Sequence, residues 1–307
     1  MNYQIPEPGY SMATLLPLLL ELNDLKRIRV AGQSGSLATA LFRRAWARLV
    51  AGEPLAAVAE SETAHAVAAV RLAGISGAVL RQGGLPPALV QAIRARGFAA
   101  SAGAIAPALQ ERLSPHIHAD MQDIALETLP PFVGLLCEQP RAGATRPGRQ
   151  RVALEPAELH SEHCGVVAVA AVLCAPLYGA ELALPFLCGL AHHLHNAYLP
   201  DAGYAGDELL GEALPTLVET FRTRALNELP KPLPGPVRAA LALVYQADTA
   251  EARAFQAADV LDRVIEMRWH AQAASFTLDV ALGDMDIVHP GPVQAFQSRL
   301  LRQTGIL

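Results

Sequence analysis

The sequence predicts an all-α protein. Alanine and leucine are abundant, and β-branched residues in strict alternation are scarce. Apolar residues make up 52% and charged residues 17% of the chain, which allows a large core and excludes global disorder.

The expected elements follow in order. A first helix spans Met12–Leu22 behind Ser11, a natural N-cap. Ala31–Ser36 superficially suggests a phosphate loop. It lacks the GxxxxGK[ST] pattern and a preceding buried strand, so Ser34 or Ser36 is expected to cap the next helix. That helix, Leu37–Ala51, sets Leu41, Phe42, Ala45 and Leu49 against Arg43, Arg44 and Arg48, and Gly52-Glu-Pro54 ends it. Glu60–Leu72, Pro86–Ala95 and Ala104–Leu113 are further helices, with a short strand allowed at Gly77–Leu80. Residues 139–151 hold two prolines, two glycines and four arginines (141, 146, 149 and 151) and predict an exposed linker. A helix starting at Leu154–Glu158 carries His160 and His163. The long apolar stretch Gly165–Ala191 is broken by Pro176, Tyr178-Gly179 and Pro185 and contains Glu181. It reads as two buried helices joined at Ala175–Gly179 rather than a membrane span. Residues 230–236 form a proline-rich loop, Ala239–Ala247 and Glu251–Ala271 are helices, and a last helix follows Pro290-Gly-Pro292 and ends near Gln303. The linker divides the chain into a helical N-terminal region, 1–150, and a helical C-terminal region, 151–307.

Net charge is −5 and no basic stripe is present, so neither nucleic acid nor a membrane is the expected partner. Cys137, Cys164, Cys174 and Cys188 have no CxxC spacing, and three lie in apolar helical patterns. They read as reduced thiols in a cytoplasmic protein. The N-terminal residues lack the basic and apolar regions of a secretory signal.

The chemistry concentrates at Ala191-His-His-Leu-His-Asn-Ala-Tyr-Leu-Pro-Asp201, which places His192, His193, His195 and Asn196 in an otherwise apolar helical pattern. Each unpaired polar group in a dry interior would cost about 1–3 kcal/mol. A divalent metal ion is the natural partner, because neutral imidazole is the commonest metal ligand. Ser161-Glu-His163 lies upstream and Ala257-Ala-Asp259 downstream. His163, His192 and Asp259, with His193, therefore form a candidate ligand set.

The three segments resemble the HD-domain superfamily of metal-dependent phosphohydrolases, in particular its bacterial 5′-deoxynucleotidase branch. That branch reads roughly S-E-H-S-x-x-V-A, then H-D-x-x-E-x-x-x-G-D, then A-A-D-x-L. This chain reads Ser161-Glu-His-Cys-Gly-Val-Val-Ala168, then His192 to Asp201, then Ala257-Ala-Asp-Val-Leu261. The likeness covers about residues 155–275. It implies an HD-like helical bundle and a divalent transition metal ion (Zn, Co, Ni, Fe or Mn) on His163, His192 and Asp259. It further implies hydrolysis of a small anionic, phosphorylated substrate such as a nucleotide. Two departures and one retention stand out. His193 replaces the Asp of the His-Asp pair, Asn196 replaces the Glu that positions water, and Asp201 is retained. A register shift making His195-Asn196 the dyad loses the match at Asp201.

His for Asp raises the charge of the site by one and favours nitrogen-loving ions. Asn196 cannot act as a base, so Asp201 or a substrate oxygen would take that role. Catalytic expectations thus fall on Asp201, Asn196 and His193. The alternatives are a non-catalytic HD-like sensor or scaffold, or an iron-dependent HD-fold oxygenase. Di-iron members of the latter need further histidines that residues 197–258 do not supply. A homodimer is left open for the N-terminal region.

Remaining candidates have modest expectations. His195 reads as a surface or supporting residue, and His160 as either substrate contact or surface. Asp262 reads as a surface partner of Arg263 or Arg268. Tyr198 and Tyr204 read as packing or substrate-flanking residues. Gly203, Gly206 and Gly211 with Asp207 and Glu208 read as a turn-rich lid, and the arginines at 141–151 as a solvated loop or an anion contact.

Overall fold

The computed structural model describes residues 10–117, 129–273, 277–284 and 287–306. Among these residues it contains fourteen α-helices and isolated β-bridges but no strand, so the fold is all-α. Ser11 caps α1 (Met12–Asn23) by accepting the Thr14 N–H, and Ser36 caps α2 (Leu37–Val50) by accepting the Thr39 N–H. The helices α3 (Leu55–Leu72), α4 (Gly77–Gln82), α5 (Pro87–Ala102), α6 (Pro107–Leu113) and α7 (Pro131–Leu136) complete the first half. The strand allowed at 77–80 is helical, because Ser76 caps it by accepting the Val79 N–H.

The centre of the molecule is α8 (His160–Tyr178), buried throughout from His160 to Ala175. It is long and apolar enough to cross a membrane, but α1, α2, α3, α9 (Ala183–Ala191) and α13 (Ala250–Ala273) pack around it. Two of these contacts need glycine. A Cβ on Gly165 would lie 2.8 Å from the Ala38 carbonyl oxygen, and one on Gly189 would lie 2.5 Å from Ala168 Cα. The backbones of α2 and α9 can therefore approach α8 closely. The helix starts later than the sequence suggested, at His160 rather than 154–158. Residues Pro140 and Leu159, and Ala144 and Val152, form antiparallel bridges that hold this stretch extended. Glu162 then accepts the Leu159 N–H at 2.9 Å and closes the first turn. The turn expected over Ala175–Gly179 comes at the last of these residues, because Pro176 lies in the last turn of α8 and Gly179 ends it in the left-handed conformation.

The anticipated lid is also helical, with α10 (Gly203–Leu210) initiated where Asp201 Oδ1 accepts the Gly203 N–H at 2.9 Å. It is followed by α11 (Leu214–Leu226). The proline-rich loop supplies the first turn of α12 (Pro234–Leu241), where a missing N–H costs nothing. The chain closes with α14 (Gln294–Thr304). Among the described residues the main apolar core runs from Tyr10 to Ile306 across residue 150, and Ala144, Met267, Ala281 and Ile287 form a second, smaller cluster.

Candidate metal centre

The close crossing of α8 and α9 brings His163 and His192 face to face, with Nε2 atoms 3.0 Å apart. On each ring the other nitrogen faces an acceptor. His163 Nδ1 donates to Asp262 Oδ2 at 2.7 Å, and His192 Nδ1 donates to the Gly189 carbonyl at 2.9 Å. Both Nε2 atoms are therefore lone-pair acceptors. Asp259, on the facing side of α13, adds a third acceptor: its Oδ1 lies 3.3 Å from His163 Nε2 and 3.7 Å from His192 Nε2. A tetrahedral ion with bonds of about 2.0–2.1 Å separates its ligand atoms by about 3.3–3.4 Å. The three atoms fit that spacing, and a cation resolves the convergence of acceptors. His163 and His192, with His193, could hold a metal ion, and Asp259 lies beside them.

The electrostatics favour ligation. Burial, reinforced by the neighbouring His163 ring, pushes His192 down to about 3, so it stays neutral and available. Burial would raise the Asp259 carboxyl, but the Arg263 guanidinium, 3.1 Å from Oδ2, outweighs it. The group is held well below the usual carboxylate range.

His193 joins the group, with a ring nitrogen within 4.8 Å of the His163 and His192 ligand atoms. Its Nδ1 donates to Asn196 Oδ1 at 2.8 Å, which turns Nε2 toward Arg141 Nη1 at 3.4 Å. Burial, together with His192, His160 and Arg141, pushes His193 well below its ordinary value. Asn196 also donates from Nδ2 to the Leu199 carbonyl at 3.2 Å, which fixes its amide. It sits in the short helical turn Leu194–Ala197 and acts on His193.

Asp201 is engaged elsewhere. Its oxygens accept the Ala142 and Gly203 N–H groups at 3.0 and 2.9 Å, and Oδ2 lies 3.7 Å from His160 Nε2. It anchors the segment that carries Arg141. His160 is fully buried, with no hydrogen bond at either ring nitrogen among the described residues and its ring 4.7 Å from that of His193, so it is not a surface residue. His195 is partly buried behind the cluster, its ring 6.0 Å from His193. Tyr198 is committed to Arg224 and Glu228, and Tyr204 stacks on His289. Asp259, Arg141 and Asp201 are the less buried groups around the centre, with side chains 15%, 17% and 21% exposed.

Comparison with protein-family models, curated proteins and solved structures gave no match. The chemistry therefore stands on the geometry alone.

That geometry also corrects the expectation for Asp262 and adds Lys26 and Glu158. Asp262 does not pair at the surface with Arg263 or Arg268. It is 3% exposed, three residues beyond Asp259 on the same face of α13, and holds His163. Behind it Lys26 Nζ lies 2.5 Å from Glu158 Oε1 and 2.7 Å from Asp262 Oδ1. Arg141 Nε binds Glu158 Oε2 at 3.1 Å, so the supposed linker delivers a guanidinium to the centre. The i, i+3 spacing of Asp259 and Asp262 was a local signal for the latter. Lys26 and Glu158 had none, because their partners are distant in sequence.

Proposed function

We propose that this chain is a metal-dependent hydrolase of a small phosphorylated compound, such as a nucleotide, working through a divergent HD-type centre in the cytoplasm. The observation that carries this reading is the convergence of His163 Nε2, His192 Nε2 and Asp259 Oδ1, each ring held in the ligating tautomer by its other nitrogen. His163, His192 and Asp259 would hold a divalent ion, with His193 as fourth ligand where its Nε2 exchanges the Arg141 N–H for the ion. A nitrogen-rich set of this kind favours Zn, Co, Ni or Fe. When bound, such an ion polarises a phosphoryl oxygen and acidifies water.

The protein's own groups do the rest. Arg141, with a planar fork of donors beside His193, binds the phosphoryl oxygens. Asp201 positions Arg141 through the adjacent Ala142 N–H. Asn196 keeps His193 Nε2 free of a proton.

A panel of phosphomonoesters and nucleotides assayed with the protein loaded with each metal in turn tests the reading. Turnover that disappears in His192→Ala is expected; no turnover with any metal would reject it. A second reading, a metal-bound scaffold without catalysis, is favoured by the commitment of Asp201 to backbone N–H groups and of Asn196 to His193. It predicts metal retention without turnover.

A further inference from the structure

A second set of ligand-like atoms lies directly behind the first. Glu158, His163 and Asp262 bring ligand atoms within 4.8 Å of one another, all fully enclosed. A cation already occupies this space. Lys26, from the turn after α1, places its ammonium 2.5 Å from Glu158 Oε1, 2.7 and 2.8 Å from the two Asp262 oxygens, and 3.6 Å from Glu266 Oε2. The four side chains are 2–5% exposed.

The surrounding charges show what Lys26 balances. Arg141 pairs with Glu158 and Arg27 with Glu266, while His270 donates to Glu266 Oε1 at 3.0 Å. Asp262 has only the His163 N–H beside Lys26 among the groups described around it. Three carboxylates thus surround one ammonium. Among the described residues Asp262 Oδ1 and Glu266 Oε2 accept no well-aligned hydrogen bond and face only the Lys26 ammonium, 2.7 and 3.6 Å away.

We propose that Lys26 is a tethered cation occupying the second metal position of this centre. It holds the site to one exchangeable ion and fixes Asp262 against His163. This deepens the metal-centre reading and rests on it for the first ion. The vacated position would differ in chemistry from the first. It offers carboxylate oxygens from Glu158, Asp262 and Glu266, a hard set suited to Mn²⁺ or Mg²⁺ rather than Zn²⁺. Lys26 is a positioning residue in this scheme. A merely structural lysine would leave metal stoichiometry unchanged on removal.

The test loads full-length protein with Zn²⁺, removes excess, adds Mn²⁺, and counts both ions after desalting by elemental analysis and Mn²⁺ spin resonance. Wild type and Lys26→Arg should retain Zn²⁺ and no Mn²⁺. Lys26→Ala should retain about one Mn²⁺ per chain in addition, and Lys26→Ala/Glu158→Gln should lose it. Failure of Lys26→Ala to take up more Mn²⁺ than wild type overturns the proposal even where Zn²⁺ is bound. Uptake of Mn²⁺ by Lys26→Ala in a protein that never binds Zn²⁺ upholds it and rejects the first ion instead. Should Lys26→Ala not fold alone, refolding that succeeds only with Mn²⁺ supports the proposal, and refolding that fails with every divalent ion overturns it.

Discussion

Replacing Asp262 with Asn probes how the protein tunes the centre without touching a ligand. The carboxylate accepts the His163 N–H at 2.7 Å, and the ligating Nε2 lies on the far side of the same ring. A unit charge about 7 Å from a divalent ion is worth about 5 kcal/mol at an effective dielectric of about 20. Lys26, 2.7 Å from the same carboxylate, cancels most of that field. What remains is the tautomer and orientation of His163, whose loss typically weakens metal binding 10–100-fold. Asp262→Asn should therefore raise the Zn²⁺ dissociation constant by about 10–100-fold, or about 1.4–2.7 kcal/mol. Competition with a chromophoric chelator measures this directly. Melting with and without metal separates it from a general loss of stability, because the variant should lose metal-induced stabilisation as well as baseline stability. An affinity within about twofold of wild type, or an equal drop in melting temperature with and without metal, would refute the reasoning.

Other perturbations have equally definite outcomes. Gly189→Ala would place a Cβ 2.5 Å from Ala168 Cα and force α9 away from α8, so a destabilisation of about 1–3 kcal/mol or more and weakened metal binding are expected by denaturant melts and metal analysis. Arg141→Ala should raise KM for a phosphorylated substrate far more than it lowers metal occupancy, which steady-state kinetics and elemental analysis resolve. His65, whose ring nitrogens have no hydrogen bond, is pushed down to about 4 by burial, with nearby Arg44, Arg94 and Arg48 assisting and Glu62 opposing. The unfolded chain takes up this proton near pH 6.5, but the folded chain refuses it until about pH 4. Stability should therefore fall as pH drops through that window, and His65→Leu should make the fall shallower in pH-dependent melts.

The helical class was legible because apolar periodicity and capping residues act locally. Ser11 and Ser36 cap the helices they precede, and the apolar run after His163 forms the central helix. The coming together of His163, His192, His193 and Asp259 was readable from three separated polar islands in apolar helices, since buried polar groups need partners. What escaped was set by tertiary contact. Lys26 and Asp262 are 236 positions apart and meet only because α1 and α13 both flank α8. Residues 139–151 looked like a linker from their prolines, glycines and arginines. Two bridges and the Asp201 contact instead pin them, aiming Arg141 inward. The glycines at 203 and 206 suggested a lid, but a helix forms there because Asp201 supplies its first N–H with an acceptor.

A metal centre on His163, His192 and Asp259 is tested by elemental analysis of the protein purified without a histidine tag, for wild type and His192→Ala, before and after metal reconstitution. About one transition-metal ion per chain is expected in wild type, and its loss in the variant. Absence of metal from wild type after reconstitution would contradict it.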